Sequence, residues 1–403
     1  MRIARERPEL RAFVAMNPAA HPALLAWLRD LGDPAVTAAL ASRGDSSGSP
    51  VPTPPRRPRG RRRRLLWLTA GLLGVVAIGG VVAVIASRAD SSGQAANAVM
   101  DTIKVGDTSK VGGVTSVALD PASGTALICT LFGPPVILDT KSHQLVATVA
   151  APNGAHHAAV NPQTHLAYVT STSTRDPSVT VINLASRTVV ATVPVGAFPF
   201  DVAVDSGTHS VWVTTPSGSR GGPASEPVTV IDTLTNQVVS TIMVGAGPLG
   251  VAVDSANHTA YVTNGGGTVS VIDTVSRKVT ATVPVGRFPR DVQVDSGAHL
   301  LLVSNAGDGT VSMIDTTSKA IVGTLAVDGA GAIIVDPGLH VAYVQSATGA
   351  TVIDTRTRKI LSRIAFHASG YGISDIGGSS ADPLTHNVYF ANSDTTITVL
   401  KRS

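Results

Sequence analysis

The sequence predicts an all-β fold, a seven-bladed β-propeller of four-stranded blades, preceded by a transmembrane helix and a small α-helical N-terminal module. Three observations carry the propeller. The stretch 244–285 breaks into four short pieces, 251–253, 260–263, 268–272 and 278–285. Each is rich in Val, Thr, Ile or Tyr, with Gly, Asn, Asp and Ser between them, which is the composition of strands and tight turns. The pattern then recurs. The residue ending the first piece is in turn Asp120, Asn161, Asp205, Asp254, Asp295, Asp336 and Asp382, at gaps of 41 to 49 residues. Such a period with four strands per unit is that of a propeller blade. Finally, the seventh copy stops at its third strand, 396–400, and the missing fourth stands before the first copy, at 100–105. The N-terminal strand is expected to complete the last blade and leave no unpaired edge.

Composition agrees with this reading. The chain is 43% apolar but only 4% aromatic, with 39 Gly and 25 Pro, which suits a Val- and Thr-rich sheet protein with many turns. A single cysteine, Cys129, excludes an internal disulfide and a multi-cysteine metal site. Its place in a strand makes it a buried, inert thiol. The net charge of +4 conceals a division: residues 87–403 carry 18 basic and 22 acidic groups, while the run RRPRGRRRR at 56–64 carries seven arginines.

In chain order, 1–43 reads as three short helices, with Pro8, Pro22 and Pro34 at first helical positions, where the missing N–H costs nothing. Apolar residues from Leu10 to Leu40 recur at three- and four-residue spacings. Its NP…P…LL…DP…V pattern resembles the variant leucine-rich repeat and implies a helical module that touches a cytoplasmic protein partner. A Pro/Ser and Arg-rich linker covers 44–64. Residues 65–86 carry no charge over 22 positions, long enough to span a bilayer. The arginines beside them form a positive-inside flank. The expectation is therefore a single-pass membrane protein with the N-terminus cytoplasmic, a stalk over 87–98, and an extracytoplasmic propeller over 99–403. A cleaved signal peptide is the rival, disfavoured by the length and late start of the apolar run.

The blade AYVTNGGGTVSVIDTVSRKVTATVPVG carries YVTN at 261–264, then V-x-V-I-D-T and the VGxxP turn. It resembles the YVTN-repeat, YncE-like β-propeller family. The resemblance implies an envelope-facing ring that binds something, and one branch of the family is associated with single-stranded DNA. The net negative propeller lacks the basic, aromatic-lined groove that such binding needs. Nucleic acid therefore enters as an alternative by resemblance only.

Candidate site residues come from positions that break the repeat. Six histidines, His165, His209, His258, His299, His340 and His386, recur four residues after the anchor, one per blade. So wide a ring is too spread for one ion, and they read as structural turn residues. Four and five residues before the anchor stand His156 and His157, Phe200 and Asp201, and Arg290 and Asp291, where other blades have small or apolar groups. They are expected to converge at the mouth of the central channel. There His157, Asp201 and Asp291 would make an N/O metal site, or with Arg290 a polar ligand pocket. His367 and Tyr371 would overhang the same mouth. The sequence contains no GxSxG, HExxH or P-loop. The expected role is non-catalytic binding of an envelope protein or cell-wall ligand, without a cofactor. A DNA-binding propeller and a metal-dependent hydrolase or lyase at the mouth are the alternatives.

Overall fold

The computed structural model describes Arg29, Thr37 and residues 98–401, apart from 152–153, 172–175, 197, 217–224, 367–377 and 393. The chain divides into a unit over Met1–Val76 and one over Ala77–Ser403. The expected helical module (1–43, save Arg29 and Thr37), the linker, the span over 65–86 and the stalk up to 97 lie outside the described residues. Among the described residues no helix is long and apolar enough to cross a membrane, and the helix Thr108–Val111 has four residues. The expected single-pass location is corrected accordingly. Length and lack of charge in a sequence are necessary for a span, but crossing also requires a continuous helix that satisfies every backbone group, and no described helix supplies one.

Seven four-stranded antiparallel sheets make up the ring. The innermost strands of blades 1 to 7 are Val114–Asp120, Ala155–Asn161, Val202–Asp205, Pro248–Asp254, Pro289–Asp295, Ile333–Asp336 and Ser380–Ala381. In blade 4 the outer strands follow as Thr259–Asn264, Thr268–Asp273 and Lys278–Pro284. Ring closure is as expected: Ala98–Lys104 pairs antiparallel with Thr396–Lys401, Ala98 opposite Lys401 and Lys104 opposite Thr396. The N-terminal strand is thus the outermost strand of blade 7.

Burial falls from the middle of each blade outward. In blade 4 the second strand is buried at nearly every residue, while the fourth alternates toward solvent. Sheets covered on both faces favour continuous apolar runs, and half-covered ones favour alternation. Among the described residues the apolar side chains collect in seven clusters between neighbouring blades. One joins Trp212 and Val230 of blade 3 to Val251 and Val262 of blade 4. Another joins Ile103 and Ile397 of blade 7 to Val117 and Ile128 of blade 1, across the closure.

Polar residues of the repeat fasten the blades to one another. The Thr263 hydroxyl accepts the Gly250 N–H at 2.8 Å and donates to the Arg290 carbonyl of blade 5 at 3.1 Å. Thr214 does the same for Asp201 and the Leu249 carbonyl of blade 4. Asn264 Nδ2 donates to Thr268 and Ser270 at 3.0 Å, stapling the second strand to the third. A Cβ at Gly245 would stand 2.7 Å from the Asn264 Cγ, so the glycine of the VG pair is required by that amide. On the opposite face, three anchor carboxylates, Asp120, Asp295 and Asp336, each meet a histidine of the next blade. His165 Nδ1–H donates to Asp120 at 2.6 Å, His340 to Asp295 at 3.0 Å and His386 to Asp336 at 2.8 Å. Thr355 adds its hydroxyl to Asp295 at 2.5 Å. All six repeat histidines hold a left-handed backbone, φ 50–59°. They are turn residues, as the spacing led one to expect, and the rings of His165, His340 and His386 also bridge blades.

Candidate functional site

The channel is lined by the innermost strands, and its mouth is shaped by where those strands begin. Register shifts between Val114 and Ser116, Ala155 and Ala158, Pro248 and Val251, and Pro289 and Asp291 insert extra residues there. A bulge re-aims the side chains around it; in blade 5, which has one, and in blade 3, whose innermost strand begins only at Val202, the fourth and fifth residues before the anchor both reach the mouth. The resulting cavity, about 330 Å³, is lined by His157, Phe200, Asp201, Arg290 and Asp291, with Ser116, Gln293 and Ser379.

Asp201 is the hub. His157 Nδ1–H donates to its Oδ1 at 2.8 Å, as does its neighbour Val202 N–H at 2.8 Å, and Val251 N–H of blade 4 donates to Oδ2 at 2.8 Å. Asp291 repeats the arrangement two blades on: Val292 N–H reaches Oδ1 at 2.7 Å and Ile333 N–H of blade 6 reaches Oδ2 at 2.7 Å. Innermost strands have no partner on their channel side, so their N–H groups need acceptors. Ser116 serves the same purpose in blade 1, its Oγ accepting Ala158 N–H at 3.3 Å. Blades 1, 3 and 5 thus provide side-chain acceptors for blades 2, 4 and 6. At the closure the Gly378 carbonyl accepts Val117 N–H at 2.8 Å.

The electrostatics follow from this crowding. Burial pushes the Asp291 carboxyl up to about 7, and the Asp201 charge pushes in the same direction against its two backbone hydrogen bonds. Burial, with His157 next, pushes the His156 imidazole down to about 3. His156 is therefore neutral, donating Nδ1–H to the Phe200 carbonyl at 3.0 Å and stacking on His157 with ring centroids 4.6 Å apart. Phe200 packs on both rings, at 4.8 and 5.5 Å. Arg290 is 8% exposed.

His157, Asp201, Arg290 and Asp291 thus meet in one cavity, with His156 stacked behind His157. His367 and Tyr371 lie outside the described residues. Among the described residues no group of three or more His, Cys, Asp or Glu side chains is arranged to hold a metal ion. The reason is visible in the bonds: the carboxylates that would ligate are turned to backbone N–H groups. Ser116 was missed by sequence reasoning. The only signal for it was the acceptor side chain four residues before the anchor in alternate blades.

A family model described as the Leucine Rich Repeat Variant domain matches residues 1–44. No curated protein matches the chain. Among solved structures, Hydrazine Synthase from Kuenenia stuttgartiensis is similar over 72% of this chain and 96% of that one, at 18% identity and a TM-score of 0.59. That likeness supports the propeller fold and nothing beyond it. The YVTN-repeat resemblance gains no support from the family-model match, which ends before the propeller begins.

Proposed function

We propose that the propeller is a binding module that takes a small polar ligand, or an exposed polar group of a larger partner, at its channel mouth. The observation that carries this reading is the convergence of the repeat-breaking residues His157, Asp201, Arg290 and Asp291 on one cavity of about 330 Å³. Its volume lies in the range of small-molecule sites, roughly 300–1,000 Å³, and its polar groups of both signs would orient an occupant. The envelope protein or cell-wall ligand expected from the sequence would have to present such a group to the mouth.

The test is a fragment screen by saturation-transfer NMR on the full chain, comparing wild type with His157→Ala, Asp201→Asn and a Leu234→Ser control on the far face. Fragments that lose contact in the first two variants and keep it in the control support the reading. Fragment binding indifferent to all three substitutions, or none at all, would sink it.

A second reading is favoured by one observation. A carboxyl that titrates near 7, beside a second carboxylate holding a histidine, has the composition of a proton-transfer site. In that reading Asp291 gives up or takes a proton near neutral pH, and His157 is oriented by Asp201 through its Nδ1. Turnover that disappears in Asp291→Asn without loss of fragment binding would select it over binding alone.

A further inference from the structure

In blades 1 to 6 the residue seven before the anchor lies in the turn that leads into the innermost strand. Its backbone is left-handed in blades 2, 4 and 6, at Gly154, Gly247 and Gly329 (φ 87°, 64° and 65°). Glycine takes that conformation freely. In blades 3 and 5 the same position holds phenylalanine, Phe198 at φ 53° and Phe288 at φ 50°. A bulky residue there is a backbone outlier. Burial does not offset the strain, since the two side chains remain 47% and 43% exposed. The four tyrosines of the described ring, Tyr168, Tyr261, Tyr343 and Tyr389, are by contrast all buried.

Blade 4, between them, presents glycine in the same turn: Gly247, and Gly265 to Gly267 in the neighbouring turn, where a Cβ on Gly266 would meet nothing within 4 Å. Deeper in the mouth the arrangement repeats in another chemistry. Asp201 and Asp291 stand on blades 3 and 5, and Gly250 between them leaves room only for the Arg290 carbonyl, 2.7 Å from where its Cβ would be. The two flanking blades therefore share one pattern, Phe-Pro-x-Asp, at 198–201 and 288–291. It places an exposed phenylalanine three residues before a carboxylate that lines the cavity. Asp291 spends two acceptor positions on backbone N–H groups. A carboxylate has about four, so two remain. The exposed cation Arg287 turns to Asp308, 3.7 Å away.

We propose that blades 3 to 5 form a site for an organic cation with an apolar stem, an amine whose ammonium group enters toward Asp201 and Asp291 while its stem lies between Phe198 and Phe288. This rests on the channel mouth being the binding site and names the chemistry of its occupant. Among the described residues Asp201 and Asp291 outnumber the one cation that lines the cavity with them, Arg290, and this excess of negative charge supplies the head-group selectivity; the exposed phenyl groups add attraction for a cation as well as apolar contact. The amine belongs either to a free small molecule or to the N-terminus of a peptide.

The experiment is calorimetric titration of the full chain, at pH 7.5 and low salt, with 2-phenylethylamine, its N-acetyl derivative, phenylacetate and a peptide beginning with a free N-terminal Phe. The amine should bind at least tenfold tighter than the acetylated and anionic probes. The peptide binding tighter than the free amine assigns the site to chain termini, and the reverse assigns it to small amines. Phe198→Gly combined with Phe288→Gly should weaken the amine at least tenfold while the melting temperature stays or rises, because glycine already occupies this position in blades 2, 4 and 6. Asp291→Asn should weaken the amine and leave the acetylated probe unchanged. Preference for phenylacetate overturns the cation while leaving a site at the mouth. Amine binding unmoved by both the glycine and the asparagine variants overturns the location. Failure of every probe overturns the amine class, and the fragment screen with His157→Ala then decides separately whether the mouth binds anything.

Discussion

Replacing Asp291 with Asn should change how stability depends on pH, and the structure sets both the sign and the size. In the unfolded chain an Asp loses its proton near pH 4. In the folded protein burial and the Asp201 charge hold that proton until about 7. A raised acid of this kind contributes stability that is complete below about pH 4, declines as pH rises, and is gone above about 7. Each tenfold in acid strength is worth about 1.4 kcal/mol, so the window spans about 4 kcal/mol at most. The carboxyl faces a channel that water can enter, which reduces the expected effect to about 2–4 kcal/mol. Asn carries no ionisation, but it offers one acceptor oxygen where Asp291 uses two, so either Val292 N–H or Ile333 N–H loses its acceptor. That loss is a constant offset of about 1–3 kcal/mol at every pH. Urea denaturation of both proteins at pH 4.5, 6, 7 and 8 separates the two contributions. The difference should move by about 2–4 kcal/mol in favour of Asn between pH 4.5 and 8. Parallel curves, offset but with the same slope, would show that Asp291 is an ordinary carboxylate and would remove the electrostatic account of the mouth.

Other substitutions probe the fastenings of the ring. Thr263→Val removes the hydroxyl that links Gly250 to the Arg290 carbonyl. It should destabilise by about 1–3 kcal/mol in chemical denaturation. Gly245→Ala would force a methyl against the Asn264 amide. It should cost about 1–3 kcal/mol, with partial recovery in the Gly245→Ala, Asn264→Ser double variant. His340→Gly relieves the left-handed backbone but leaves Asp295 without its imidazole. A net loss of about 1–2 kcal/mol is expected, and a gain would show that the turn, not the inter-blade bridge, selects histidine. Burial pushes the Cys129 thiol up to about 12. A maleimide should leave the native protein unlabelled at pH 8 and react only on denaturation.

The ring itself was legible because one physical requirement is stated seven times. Each blade must bury a second and third strand and turn tightly between them, so Val, Thr, Gly and Asp recur in phase and the displaced strand at 100–105 is found by alignment alone. Positions that break the phase, His157, Asp201, Arg290 and Asp291, were legible as candidates for the same reason. Their roles were not. Which oxygen of Asp201 meets Val251 N–H depends on a bulge and on the spacing of neighbouring blades, and neither is periodic. Phe198 and Phe288 went unnoticed because a sequence shows an aromatic in a turn but not its φ. The apolar run at 65–86 met the length criterion for a span, a criterion that composition alone can satisfy, yet no described helix meets the structural one.

The closure of the ring has a mechanical consequence. Ala98 and Lys401 are paired partners at one end of the same two-stranded ladder, so the polypeptide arrives at and departs from a single point on the perimeter. Hydrogen bonds in an antiparallel pair run across the strands. Tension applied between the two ends would therefore load those bonds one at a time, beginning with the pair at Ala98, instead of shearing them all together. Pulled from its ends, the propeller has a soft seam that opens like a zip, peeling off the outermost strand of blade 7 before any other blade feels the force.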